Sequence, residues 1–112
     1  MFNGAHVIIY STDAEADRQF FADVLNLPNV DVGGGWLIFA LPPSEVAFHP
    51  HEKSDAHELY LMCDNIEDCR RQLSEAGVLS SEVDDEGWGL LSSFKLPGGA
   101  TVGFYQPRHE RP

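Results

Sequence analysis

Basic residues are scarce in this sequence. Seven Lys and Arg stand against eighteen Asp and Glu, which gives a formal net charge of −11 at pH 7. A protein with this charge repels phosphate backbones, so we expect no nucleic acid among its partners.

Long apolar runs and cysteines are also missing. No run approaches the roughly 18 apolar residues that a membrane span requires, so we expect no membrane partner. The N-terminal residues lack the charged and apolar regions of a secretory signal. Only two cysteines occur, Cys63 and Cys69, and together these features favour a reduced, cytoplasmic location.

The composition that remains is that of one globular domain. The chain has 112 residues, of which 43% are hydrophobic and 11% aromatic. A chain of this size fills one core, and the composition excludes disorder, collagen-like repeats and coiled coil.

The first half of the chain predicts one helix among strands. The β-branched run at 6–11 predicts a strand, and Thr12 or Asp13 can cap the helix that follows. Apolar residues recur at helical spacing as far as Leu27, where Pro28 ends the helix. Three more strands are predicted, near 30–32, at 36–40 with both faces covered, and at 45–49.

The second half predicts the same order of elements. A strand at 58–63 precedes a helix that Asp64 or Asn65 can cap and that Gly77 ends. Further strands are predicted near 81–83, from Trp88 onward, and at 101–105 after the turn at 96–99. An offset of 52 residues superposes the halves and pairs Trp36 with Trp88, so the order strand, helix and three strands occurs twice.

This duplicated pattern resembles the vicinal oxygen chelate superfamily, which contains glyoxalases, extradiol dioxygenases and bleomycin-resistance proteins. The resemblance implies an α+β fold with two tandem βαβββ modules, 1–52 and 55–112, in one glyoxalase-like domain. Their curled mixed sheet would surround a cavity, and a homodimer is implied as well. The residues that carry the resemblance are His6–Tyr10 before a helix, the junction Leu61–Asn65, and Leu96–Gly99 leading into Val102–Tyr105.

In metal-dependent members of that superfamily, the first and last strands of each module supply the ligands. The resemblance puts these positions at His6, Ala47, Glu58 and Gly103. Ala47 and Gly103 carry no donor atom, and a catalytic site usually has three protein ligands. We therefore expect an incomplete site that binds no metal. The less favoured outcome is a site that binds iron, zinc, nickel or manganese.

His49 offers an alternative, because it lies two residues beyond Ala47 and faces the same way on a strand. It would complete a set of His6, His49 and Glu58, the two-histidine, one-carboxylate set that suits non-haem iron. The displacement is roughly 6.6 Å, against metal–nitrogen bonds of about 2 Å, so the set needs a register slip or a bent strand. Such a protein would be a metal-dependent extradiol-type dioxygenase or glyoxalase-type lyase.

Ala47 and Gly103 have little or no side chain, so they would leave the floor of the cavity open. We therefore predict that the cavity binds a small molecule. Tyr residues on its wall present apolar faces with hydroxyl tips, and two equivalent Trp residues can stack a planar ligand. The residues expected to contact a ligand are Tyr10, Trp36, Ala47, Tyr60, Trp88, Gly103 and Tyr105.

Glu58 has two interpretations. Buried among aromatic residues it could act as a base or hold a cation, which makes it the candidate catalytic residue. It could also simply pair with His6, as buried polar groups do. His109, in the polar tail, is interpreted as a solvent-exposed histidine. The leading hypothesis is a protein that sequesters or senses an aromatic or cationic small molecule.

Overall fold

The computed structural model describes residues 6–45, 47–50, 52, 54 and 57–111. Within them the chain forms two helices and two sheets, a mixed α+β fold. The elements are α1 (Ala14–Asp23), β1 (Asn29–Asp31), β2 (Leu37–Phe39), β3 (Tyr60–Met62), α2 (Ile66–Glu75), β4 (Asp84–Asp85), β5 (Gly89–Lys95) and β6 (Thr101–Pro107). Neither helix has the length or apolar character that crossing a membrane requires.

Both helices begin at residues that the sequence predicts as caps. The Asp13 carboxylate accepts from the N–H of Ala16 at 3.2 Å, and the Asn65 side chain accepts from the N–H of Asp68 at 3.0 Å. Each cap satisfies a first-turn donor that has no partner inside the helix. α1 ends at Asp23, four residues before the predicted end, and the positive φ of 55° at Asn26 does not continue a helix.

The second sheet has the strand order β3-β6-β5-β4. β5 and β6 pair antiparallel over seven residues each, and β3 runs parallel to β6 with Tyr60 opposite Gly103. Because side chains alternate along a strand, Val102 and Phe104 face α2 and the core, whereas Gly103 and Tyr105 face the other side. The core cluster consists of Phe21, Ile66, Leu73, Phe94, Leu96, Val102 and Phe104.

The first half forms less sheet than predicted. Residues 6–11, and residues 45 and 47–49, have no regular secondary structure, so the strands predicted there are wrong within the described chain. Among the strands that the structure describes, β1 and β2 pair only with each other. The strand expected to be covered on both faces is exposed on one of them, with Trp36 62% and Ile38 37% accessible. An isolated strand pair has no third strand to protect it, which explains the open face.

The second half differs from the prediction at one strand. The strand predicted near 81–83 is replaced by β4 at Asp84–Asp85 and by a single bridge between Ser80 and Phe94. The second half therefore contains a complete βαβββ unit, whereas the first half contributes α1, β1 and β2.

Three contacts hold α1 and the segment before it against the second half. The buried Asp17 carboxylate accepts from the N–H of Gly98 at 2.8 Å, and the Thr12 hydroxyl donates to the carbonyl of Gly98 at 3.1 Å. The Phe20 ring stacks on Phe94 with centroids 5.6 Å apart. The turn at 96–99 is thereby docked on the first helix.

Candidate functional site

A cleft of about 950 Å³ lies along β3, β5 and β6, bounded by the segments 6–9 and 57–60. Its floor is the sheet face opposite α2, where alternation places Leu91, Ser93, Thr101 and Gly103. The predicted residues His6, Glu58, Tyr60 and Gly103 all line this cleft.

Tyr60 covers Gly103. The two residues are opposite each other across the parallel pair, and a Cβ on Gly103 would lie 2.5 Å from Cδ1 of the Tyr60 ring. Gly89 has the same relation to Tyr105, whose Cδ2 would lie 2.9 Å from an added Cβ. These glycines are therefore required by the rings above them, because any side chain would displace the ring.

Four rings form a continuous set, which we call the aromatic row: Tyr60, Tyr105, Trp88 and His49. Their successive centroids are 5.9, 5.4 and 6.4 Å apart, with interplanar angles of 90°, 76° and 87°. This is the edge-to-face arrangement that aromatic pairs favour. Tyr105 is buried, whereas Trp88 is 40% and Tyr60 37% exposed, so the row combines a fixed centre with accessible faces.

Carboxylates surround the two tyrosines of the row. The pKa of Tyr60 is raised above its usual value by a hydrogen bond to the Glu58 carboxylate, then by burial, and then by the negative charges of Glu58 and Glu86. The pKa of Tyr105 is raised by burial and then by the charge of Glu45, which Arg111 partly offsets. Both hydroxyls are protonated at neutral pH, in a region of negative potential that favours positively charged ligands.

The C-terminal segment returns to the row, which the sequence did not predict. The imidazole of His109 lies 3.1 Å from the hydroxyl of Tyr105 through Nε2. Arg108 pairs with Asp85 and Arg111 with Glu45, each at 2.7 Å. His109 is half-buried, contrary to the solvent-exposed interpretation. No local pattern indicates this, because the contact depends on the direction in which the chain leaves β6.

Two of the predicted ligand contacts, Tyr10 and Trp36, lie outside the row. Tyr10 is 88% exposed, and Trp36 has the guanidinium of Arg18 4.5 Å from its ring centroid. Ala47 is exposed in a segment without secondary structure. Within the described residues the structure thus brings together Tyr60, Trp88, Gly103 and Tyr105, and leaves Tyr10 and Trp36 outside the row.

The described residues show no cluster of metal ligands. In the described part of the chain, no three His, Cys, Asp or Glu side chains gather into a possible metal site. His6 and Glu58 line the cleft, but His49 packs on Trp88. Glu58 is exposed, so the expectation that it is buried is wrong. The structure therefore does not bring His6, His49 and Glu58 together among the residues it describes.

The two cysteines, Cys63 and Cys69, pack against the core cluster. Burial raises the pKa of the Cys63 thiol to about 12, and burial also raises the pKa of Cys69. A thiol must be ionised to act as a nucleophile, so neither residue is a candidate for catalysis.

No family model and no curated protein matches this chain. Among solved structures, the antibiotic binding protein TnmS3 from Streptomyces sp. CB03234 is 22% identical, with a TM-score of 0.65 over 96% of this chain and 99% of that one. The lactoylglutathione lyase from Agrobacterium tumefaciens is 13% identical, with a TM-score of 0.64 over 92% of both chains. A glyoxylase/bleomycin resistance protein/dioxygenase domain from Frankia sp. EAN1pec is 12% identical, with a TM-score of 0.62 over 96% of this chain and 99% of that one. Identities of this size establish likeness of fold.

Proposed function

The chain has the fold of the vicinal oxygen chelate superfamily, as its sequence pattern predicts, and from this premise we propose that it binds a small aromatic or cationic molecule on the aromatic row. The observation that carries the proposal is the position of Trp88 and Tyr60, half-exposed on either side of the buried ring of Tyr105. Accessible aromatic faces next to a few polar groups are typical of small-molecule sites.

Many planar ligands could stack on the aromatic row. Among them, the nearby charges favour a cation. Glu58 and Glu86 act on Tyr60, and Glu45 acts on Tyr105. A cation over an aromatic face gains about 0.5 to 2 kcal/mol, depending on how far it is desolvated. A planar cation would gain both this attraction and stacking, so it is the ligand class that this site would bind most tightly.

The residues at positions 47 and 103, where metal-dependent relatives would place ligands, favour binding over catalysis. The ring of Tyr60 lies where a ligand side chain at position 103 would have to project, and Ala47 offers no donor. The similarity to a protein described as antibiotic binding supports the same class of function. The alternative, a metal-dependent lyase or dioxygenase, is supported by likeness of fold to such proteins and by no cluster of metal ligands among the described residues.

The test is calorimetric titration with 10-methylacridinium, a planar cation, beside neutral acridone and non-aromatic tetramethylammonium. We expect the planar cation to bind most tightly and its affinity to fall as salt is added. Trp88→Ala should weaken binding about tenfold, because it removes the accessible indole face.

The matched control is Trp36→Ala, which removes the other tryptophan, outside the row. This change should alter affinity less than twofold. The proposal is wrong if none of the three compounds binds below millimolar concentration, or if the two tryptophan variants weaken binding equally.

We also propose that two copies of this chain associate. Of the twelve exposed large hydrophobic residues in the described chain, nine lie before residue 50. Monomers rarely expose an apolar surface of this kind, and a two-fold axis covers such a patch with its own copy. The segment 6–11 forms no strand within the described chain and exposes Val7, Ile8 and Tyr10, which a neighbouring copy could cover. Sedimentation equilibrium measures this association directly.

A further inference from the structure

The two nitrogens of His109 have different partners. Nδ1 lies 2.9 Å from the backbone carbonyl oxygen of Glu110, and Nε2 lies 3.1 Å from the hydroxyl of Tyr105. A carbonyl can only accept, so Nδ1 carries the proton in the neutral ring. Nε2 is then an acceptor, and the Tyr105 hydroxyl donates to it.

This arrangement decides what Tyr105 can offer a ligand. While its only proton points to His109, the hydroxyl oxygen presents lone pairs to other partners. When His109 takes a second proton from solvent, Nε2–H becomes a donor to the same oxygen. The proton of Tyr105 must then turn away from His109, and the hydroxyl becomes a donor.

We propose that His109 is a positioning residue that sets the hydrogen-bond polarity of Tyr105 at the centre of the aromatic row. With His109 neutral, the site prefers planar cations that carry N–H donors; with His109 protonated, it loses that preference. The inference rests on the proposed function, since it names which members of the ligand class the same site selects.

The segment that carries His109 is held at both ends. The N–H of Arg108 donates to the carbonyl of Trp88 at 2.9 Å, and Arg111 pairs with Glu45 from the first half. The histidine ring is therefore fixed over Tyr105, with centroids 5.9 Å apart and a 35° tilt. Charged groups lie around His109 and Tyr105. They are Asp85 on β4, which pairs with Arg108, then Glu45, which pairs with Arg111, and the neighbouring Glu110.

The first measurement uses the free protein. A long-range ¹H–¹⁵N correlation spectrum at pH 8 distinguishes the two tautomers, and His109→Phe identifies the signals of this ring. We expect the Nδ1–H form, the opposite of the form that a free imidazole side chain favours. The Nε2–H form at pH 8 would overturn the inference.

The second measurement compares two planar cations of similar size. Proflavine carries amino N–H donors, and 10-methylacridinium carries none. A positive charge on His109 repels both equally, so the ratio of their affinities isolates the hydrogen bond. We expect the ratio to favour proflavine at pH 8 and to fall about tenfold by pH 5.

Two variants test the assignment. His109→Phe keeps a ring beside Tyr105 but no nitrogen, and Tyr105→Phe removes the hydroxyl; in both, the ratio should not change with pH. Binding of both cations with a constant ratio in the unmodified protein contradicts the inference and leaves the proposed function standing. Failure of both cations to bind contradicts the proposed function itself.

Discussion

The sequence predicts the same elements in both halves of this chain, but in the structure the halves differ in the strands they form and in the apolar side chains they bury. Seven of the eight buried hydrophobic residues in the described chain lie in the second half, and nine of the twelve exposed large ones lie in the first. Both halves have a ten-residue helix with an Asp or Asn cap. This difference indicates that helix formation depends on local sequence, whereas a sheet forms only where partner strands are available to pair.

One pair of positions that the predicted repeat makes equivalent has different roles in the two halves. An offset of 52 pairs Asp17 with Cys69. Asp17 docks the turn at Gly98 on α1, whereas Cys69 packs against the core cluster beneath the second sheet. The same helical position thus connects the halves in one case and fills the core in the other.

The largest effect should come from removing a core side chain of the second half. Phe104 is 2% exposed, and Phe104→Ala should lower the free energy of unfolding by about 3 to 5 kcal/mol. In the first half, Val30→Ala should change it by less than about 0.5 kcal/mol, since Val30 is 61% exposed. Urea denaturation measures both, and equal losses would contradict the division between the halves.

A smaller effect is expected where the first half is open. Phe48 is 91% exposed, and Phe48→Asp should weaken self-association by about 2 kcal/mol or more if a second copy covers it. Leu79→Asp is the matched control, because Leu79 is 88% exposed but lies in the second half. Sedimentation equilibrium should show the 12.4 kDa monomer for the first variant and the dimer for the control. A monomeric unmodified protein would contradict the proposed association.

The smallest effect concerns the contact between the halves. Asp17→Ala removes the acceptor for the N–H of Gly98 and should cost about 1 to 2 kcal/mol. Asp17→Asn should cost less, because its amide oxygen keeps that bond and its NH₂ replaces Oδ2, a buried atom with no partner in the described chain. Thermal unfolding compares these with Gln19→Ala, an exposed change on α1. A loss for Asn as large as for Ala would contradict this account.

The site was predicted in part. Tyr60, Trp88, Gly103 and Tyr105 were expected at the ligand, and the structure brings them together because alternation along β3 and β6 is a local property. Trp36 was expected to contact the ligand because the repeat pairs it with Trp88. In the structure it lies under Arg18, since the first half does not form the equivalent sheet. His109 was missed, because its contact joins the tail to β6.

The sequence by itself determined the helices, their caps and the faces of the strands in the second half, because each depends on residues within a few positions of one another. Only the tertiary structure decided that Tyr60 covers Gly103, that Trp88 rather than Trp36 joins the aromatic row, and that His109 orients the hydroxyl of Tyr105. These contacts depend on strand register and on the path of distant segments. Such features are set by the packing of the whole chain, which no local pattern encodes.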